Sequence, residues 1–176
     1  MTTALLVVDI QNGVAPESPA REETVRRVVD LVDSARAAGA AVVWVQHDDD
    51  ELPHGTPAWE LVAGLVPAAG DGRVSKQHRS AFSGTGLTGL LKEQGVDHVV
   101  VVGAQSLFCV DMAGKHALAE GFDVTLVSDG HFNGTTETEA GPIEDALARA
   151  MVNRTWQSLR HPGATVRVLP AAQVSW

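Results

Sequence analysis

The chain is 176 residues long, with 13 basic and 22 acidic residues and a formal net charge of −9. That length suits one domain, residues 1–176, with a substantial core, and the acidic balance argues against nucleic acid as a partner. A single cysteine excludes an internal disulfide and fits a reducing, cytoplasmic setting. No apolar stretch is long enough to span a bilayer, and Met1-Thr2-Thr3-Ala4 carries no basic segment, so neither a membrane anchor nor a signal peptide is expected.

In chain order, the first strand is predicted over Ala4–Val8 and closes on Asp9. A helix follows over Arg21–Ala38, with Val25, Val28, Val29 and Val32 on one face and Gly39 as its stop. Strands are then predicted over Ala41–Gln46 and, briefly, Val74–Ser75, with the long irregular stretch Gln46–Arg73 between them. A stretch of that length with no structure of its own suits a cover over a site. A short helix, Gly86–Gln94, leads to the strand His98–Gly103, and a further helix is read over Cys109–Glu120. Strand Val124–Ser128, helix Pro142–Leu159 and strand Thr165–Val168 complete the pattern, with proline in the first turn of the last helix. The strand runs are apolar at successive positions, so both faces are buried, as in a parallel sheet. Repeated strand–helix–strand units predict a doubly wound, Rossmann-like α/β fold in three layers, whose ligands bind beyond the carboxyl ends of the strands.

Asp9, Lys76 and Cys109 all fall at or just past such ends. If their strands are neighbours, an acid, an ammonium and a thiol meet at one edge of the sheet. A helix beginning near Cys109 would favour the thiolate through its unpaired N–H groups. The competing reading of a lone cysteine is a small buried hydrophobe.

Three linked segments resemble the isochorismatase-like cysteine hydrolases. Leu6-Val7-Val8-Asp9-Ile10-Gln11-Asn12 resembles the family's first strand and its catalytic Asp. Val74-Ser75-Lys76, followed by Ser80-Ala81-Phe82-Ser83-Gly84-Thr85-Gly86-Leu87, resembles its lysine motif. Val102-Gly103-Ala104-Gln105-Ser106-Leu107-Phe108-Cys109-Val110 and the following Ala117–Val124 resemble its nucleophile strand and helix. The resemblance implies a six-stranded parallel sheet, a homodimer or homotetramer, and cleavage of C–N bonds in small molecules. The chain departs from the family pattern at Leu107 and Met112, and it lacks a His pair around Arg149–Asn153.

Hydrolysis of an amide needs a nucleophile, a proton carrier and a site for the oxyanion. The resemblance assigns Cys109 as nucleophile, Asp9 as proton carrier and Lys76 as the charge that holds Asp9 ionised. It places the oxyanion hole at the backbone N–H groups of Gln105 and Cys109, with a cis peptide at Ala104–Gln105. Gln11, His47, Trp59, Phe82 and Gln105 are candidate substrate-binding residues, apolar walls with a few polar groups. Gln11 lies two positions after Asp9, so in an extended strand it points the same way. Nicotinamidases of this family hold a divalent ion through an Asp-x-His pair and further His residues. The loop His47-Asp48-Asp49-Asp50-Glu51-Leu52-Pro53-His54, with His78 nearby, has suitable residue types but not that order, so neither metal nor cofactor is expected. The expected function is a metal-independent cysteine amidohydrolase on a small amide, lactam or ureido compound. The alternatives are a vinyl-ether hydrolase of the isochorismate type and a non-catalytic binding or scaffold member. The vinyl-ether members generally lack the Cys.

Overall fold

Runs of valine and leucine with no polar interruption can be accommodated only where both faces of a strand are covered, and they form the centre of the sheet. The computed structural model describes residues 1–15, 18 and 20–176. Its elements are β1 (Thr3–Val8), α1 (Arg21–Ala37), β2 (Ala41–His47), β3 (Gly72–Lys76), α2 (Leu87–Glu93) and β4 (His98–Ala104), then a π turn (Ser106–Val110), α3 (Asp111–Ala119), β5 (Asp123–Phe132), α4 (Asp145–Ser158) and β6 (Val166–Leu169). The six strands run in the order β3-β2-β1-β4-β5-β6, and every neighbouring pair is parallel. The chain steps outward from β1 to β3, then returns to the other side of β1 as β4. The switch point of the sheet therefore lies between β1 and β4, and in folds of this kind the ligand crevice lies there, beyond the carboxyl ends.

Alternate side chains of each strand feed two cores. Ala4, Leu6 and Val8 pack with Leu87 and Leu91 of α2, Ala113, Ala117 and Leu118 of α3, and Val152 and Trp156 of α4. Leu5 and Val7 pack on the opposite side with Val25, Val28, Leu31, Val32 and Ala35 of α1. This is the expected three-layer arrangement, and among the described residues no helix is long and apolar enough to cross a membrane.

Three boundaries differ from expectation by three residues or more. The helix expected from Cys109 begins at Ser106 as a π turn, so Cys109 sits on that turn and α3 starts only at Asp111. The last helix begins at Asp145 rather than Pro142, because Ile143 is held in an antiparallel bridge to Thr136. β5 continues four residues beyond Ser128, through an irregularity. Val101 of β4 faces Leu126 and Gly103 faces His131, so β4 advances two residues while β5 advances five, and three residues of β5 loop out of register. Gly130 permits the detour: a Cβ there would lie 2.8 Å from Val127 and 2.9 Å from Val102.

Gly103 marks the tightest approach at the switch point. Its φ is +139°, and a Cβ would lie 2.1 Å from the Val8 carbonyl oxygen. Gly103→Ala is therefore expected to cost about 3 kcal/mol or more, or to prevent folding. Gly70→Ala, where nothing lies within 4 Å, should stay within about 0.5 kcal/mol of the parent. Chemical denaturation of the two variants side by side checks this, and equal stabilities would show that Gly103 is not required.

Candidate active site

β1 ends by placing Asp9 in the left-handed region, at φ +50°, with its N–H donating to the Val45 carbonyl at 2.9 Å. That turn directs the carboxylate into the crevice, where it is fully buried. Lys76, the last residue of β3, lies two strands away, and its long side chain crosses the end of β2 to meet Asp9. The Nζ–Oδ2 distance is 2.6 Å, and neither side chain is exposed. The Lys76 ammonium also donates to the His78 carbonyl at 3.1 Å, approaches His47 Nδ1 at 3.1 Å, and reaches Cys109 Sγ at 3.5 Å. Four acceptors thus surround a group with three protons. Cys109, half-buried on the π turn, completes the cluster from the β4 side. The Ala104–Gln105 peptide just before that turn is cis.

The protonation of this cluster differs from expectation. Burial, followed by the negative charge of Asp9, pushes the Cys109 thiol up to about 12, with Lys76 opposing. The thiolate expected from a helix N-terminus is not the resting form, because desolvation outweighs the favourable groups. Burial also raises Asp9 from the ordinary carboxylate range, against the pull of Lys76 and of its contact with Cys109. Burial thus favours the protonated thiol, and Asp9 lies beside it, paired with Lys76. The three groups form one coupled set.

The surrounding residues divide into those that face this cluster and those that build it. His47 faces it. Its Nε2 lies 2.7 Å from Asp49 Oδ2 and its Nδ1 faces the Lys76 ammonium, which assigns the proton to Nε2. That hydrogen bond, with smaller help from backbone donors, holds Asp49 below the usual carboxylate range. Trp59 is half-buried with its ring 4.1 Å from that of His54. Gln105 is half-buried, and its side-chain amide donates to the Val14 carbonyl at 3.2 Å.

The structure engages two candidate residues within the fold. Gln11 is fully buried, and its amide is consumed by the fold: Nε2 donates to the His47 and Trp59 carbonyls, both at 2.9 Å, and Oε1 accepts from the His47 N–H at 2.7 Å. It ties the covering loop to the end of β2. Phe82 is only 6% exposed, with its ring 5.3 Å from His116 and 6.2 Å from Phe122. Aromatic packing claims it for the core behind α3.

The metal question turns on donor atoms. One nitrogen of His47 is occupied by Asp49 and the other faces an ammonium, while the His54 ring lies tilted against Trp59. Among the described residues no group of three His, Cys, Asp or Glu side chains is placed to hold an ion.

Sequence reasoning missed a second polar set, behind the π turn. Ser106 Oγ lies 2.7 Å from His131 Nδ1, His131 Nε2 lies 3.1 Å from Asn153 Oδ1, and Asn133 Oδ1 accepts the Leu107 N–H at 3.1 Å. A signal was available in Asp129-Gly130, which inside a strand pattern marks a bulge, and in the His and Asn that follow it.

At Cys109 the proton balance gives a measurable expectation. Alkylation by iodoacetamide should rise with pH far above the ordinary thiol range, with a half-point toward 12. In Asp9→Asn the opposing charge is gone and Lys76 is freed toward sulfur, so the half-point should fall by at least one pH unit, about tenfold in thiolate at a given pH. Asparagine tolerates the left-handed turn at this position. A half-point that does not move in the variant would show that Asp9 and the thiol are uncoupled.

Comparison with known proteins supplies the family context. The isochorismatase domain matches residues 3–158. Streptothricin hydrolase of Streptomyces noursei is 36% identical over 159 residues, covering 86% of this chain and 62% of that protein. This chain therefore spans less than two thirds of that relative's length. Maleamate amidohydrolase of Pseudomonas putida is 28% identical over 149 residues, covering 72% of this chain and 70% of its own. Among solved structures, an isochorismatase family protein from Desulfovibrio vulgaris superposes with a TM-score of 0.78 at 28% identity, covering 97% of this chain and 95% of its own.

Proposed function

The chain belongs to the isochorismatase family, and within it we propose a cysteine amidohydrolase that cleaves the C–N bond of a small amide, lactam or ureido compound. The observation that carries this reading is the single Lys76 ammonium lying 2.6 Å from Asp9 and 3.5 Å from Cys109. A structural thiol has no need of a buried ion pair beside it. The amidohydrolase names of relatives agree with C–N cleavage.

The chemistry follows from the resting proton position. As Cys109 Sγ bonds to the substrate carbonyl carbon, its proton passes to Asp9, whose raised proton affinity suits a base in a dry site. The C–N bond then breaks, and Asp9 gives the proton to the departing nitrogen, leaving a thioester. Water attacks that carbonyl, Asp9 takes one of its protons, and the returning thiolate recovers it. Asp9 is thus restored in each half-reaction, while Lys76 holds it ionised between transfers.

The developing oxyanion is met by the backbone N–H groups of Gln105 and Cys109. Support comes from the π turn: the Gln105 carbonyl accepts from the N–H groups of Phe108 at 3.0 Å and Val110 at 3.3 Å, and passes over that of Cys109. The pocket side bears His47 from the end of β2 and Trp59 from the covering loop.

Release of ammonia or amine from a panel of primary amides, ureido acids and lactams tests the reading. Cys109→Ser should lower kcat by about 10³-fold or more with the fold intact, because the far more basic hydroxyl has only a carboxylate to deprotonate it. Quenched mass spectrometry should find the acyl group on the peptide carrying Cys109. Turnover retained in Cys109→Ser would remove the thioester route.

A further inference from the structure

We propose that Ser106, His131 and Asn153 form a neutral clamp that positions the oxyanion-binding turn, with Asn133 as its second strap. The inference rests on the amidohydrolase reading and adds positioning residues to it. Ser106 and Leu107 are two of the residues between Gln105 and Cys109, and both are tied to the end of β5. Ser106 is tied through its hydroxyl to His131, and Leu107 through its N–H to Asn133.

Proton bookkeeping gives the chain of bonds one direction. The Asn153 amide nitrogen donates to the Ser128 carbonyl at 2.9 Å, which turns its oxygen toward His131. Nε2 of His131 must therefore carry the proton, and Nδ1 must accept. The Ser106 hydroxyl is then the donor at 2.7 Å. Asn133 is equally committed: its N–H donates to Asp145 Oδ1 at 2.7 Å, and its amide nitrogen donates to Gly134 and Thr136. Ser106, His131 and Asn133 are all fully buried.

Packing alone does not account for this set. An apolar side chain at 131 would fill the space without burying polar atoms that must all be satisfied. What the hydrogen bonds supply, and packing does not, is a fixed backbone orientation at 106 and 107. Donors for a developing oxyanion act only when held within a few tenths of an ångström, and they are supported by residues behind them. The three-residue detour of β5 reads the same way, because it brings His131 opposite Gly103, directly ahead of the turn. Burial lowers the imidazole to about 4, so the clamp carries no charge at neutral pH.

Steady-state kinetics of full-length variants test the proposal. Ser106→Ala removes one oxygen and should lower kcat by about 10–100-fold, short of the 10²–10³ for losing an oxyanion donor outright, with KM within twofold. Its Cys109 alkylation profile should match the parent, showing an intact nucleophile. His131→Leu should fall similarly. His131→Gln, which can accept and donate at once, should recover at least tenfold of that loss. Nitrogen-15 NMR should show His131 as the Nε2–H tautomer at pH 7, a result independent of any substrate and of whether His131→Leu folds. An unchanged kcat in Ser106→Ala, a rise in KM alone, no recovery in His131→Gln, or the other tautomer would overturn the clamp. A parent chain inactive on every amide would instead remove the amidohydrolase reading, and the clamp with it.

Discussion

The ion pair between Asp9 and Lys76 is the constraint on which the rest of the site depends. Both side chains are fully buried, and removing either partner from such a pair typically costs about 3–5 kcal/mol, because the survivor is left uncompensated. The pair also fixes topology. β1 and β3 are not neighbours, so the contact exists only when β2 is in register between them, with His47 opposite Lys76. A one-residue slip of β3 would turn the lysine to the other face. Correct pairing of three strands and the assembly of the polar site are thus one event. Gln11 adds a local lock, binding the β2 end and the covering loop at once.

Placing a thiol against this pair produces a site that is neutral overall and holds one mobile proton. Desolvation penalises a new charge on either sulfur or carboxylate, and so raises the proton affinity of both. The lysine offsets one negative charge, not two. The cost of forming a free thiolate is therefore high, and in the proposed reaction proton transfer to Asp9 accompanies sulfur–carbon bond formation. This division of labour differs from cysteine sites in which an imidazolium stabilises a standing thiolate. In the proposed reaction the carboxylate is base and acid in turn, and Lys76 is the fixed counter-charge.

Much of the architecture was legible because strong patterns carried it. Unbroken valine runs gave the central strands, and Gly39, Gly95 and Gly121 marked helix ends. Asp9, Lys76 and Cys109 were legible because strand ends in a parallel sheet converge by topology alone. What the pattern hid was everything set by contact geometry. Ser128-Asp129-Gly130 reads as a turn, yet the strand survives it through a bulge. A π turn has no periodicity to reveal it, so the sequence pattern puts the helix start at Cys109, three residues late. Phe82 and Gln11 were plausible pocket residues by type, and only their buried neighbours show that packing and backbone hydrogen bonds already engage them.

The two sides of the crevice are built from different chemistry, and the difference is consistent with one requirement. On the β1–β3 side, charges are paired; on the β4–β5 side, the π turn is held by hydrogen bonds among a hydroxyl, an imidazole and two amides. A buried cation at position 131 would add a positive charge behind the turn and alter the balance among Asp9, Lys76 and Cys109. A buried anion there would oppose an oxyanion forming on the other side. A neutral support avoids both effects while still fixing geometry. The low proton affinity that burial imposes on His131 keeps it neutral at neutral pH. The support can therefore orient the turn without entering the titration of the groups proposed to do the chemistry.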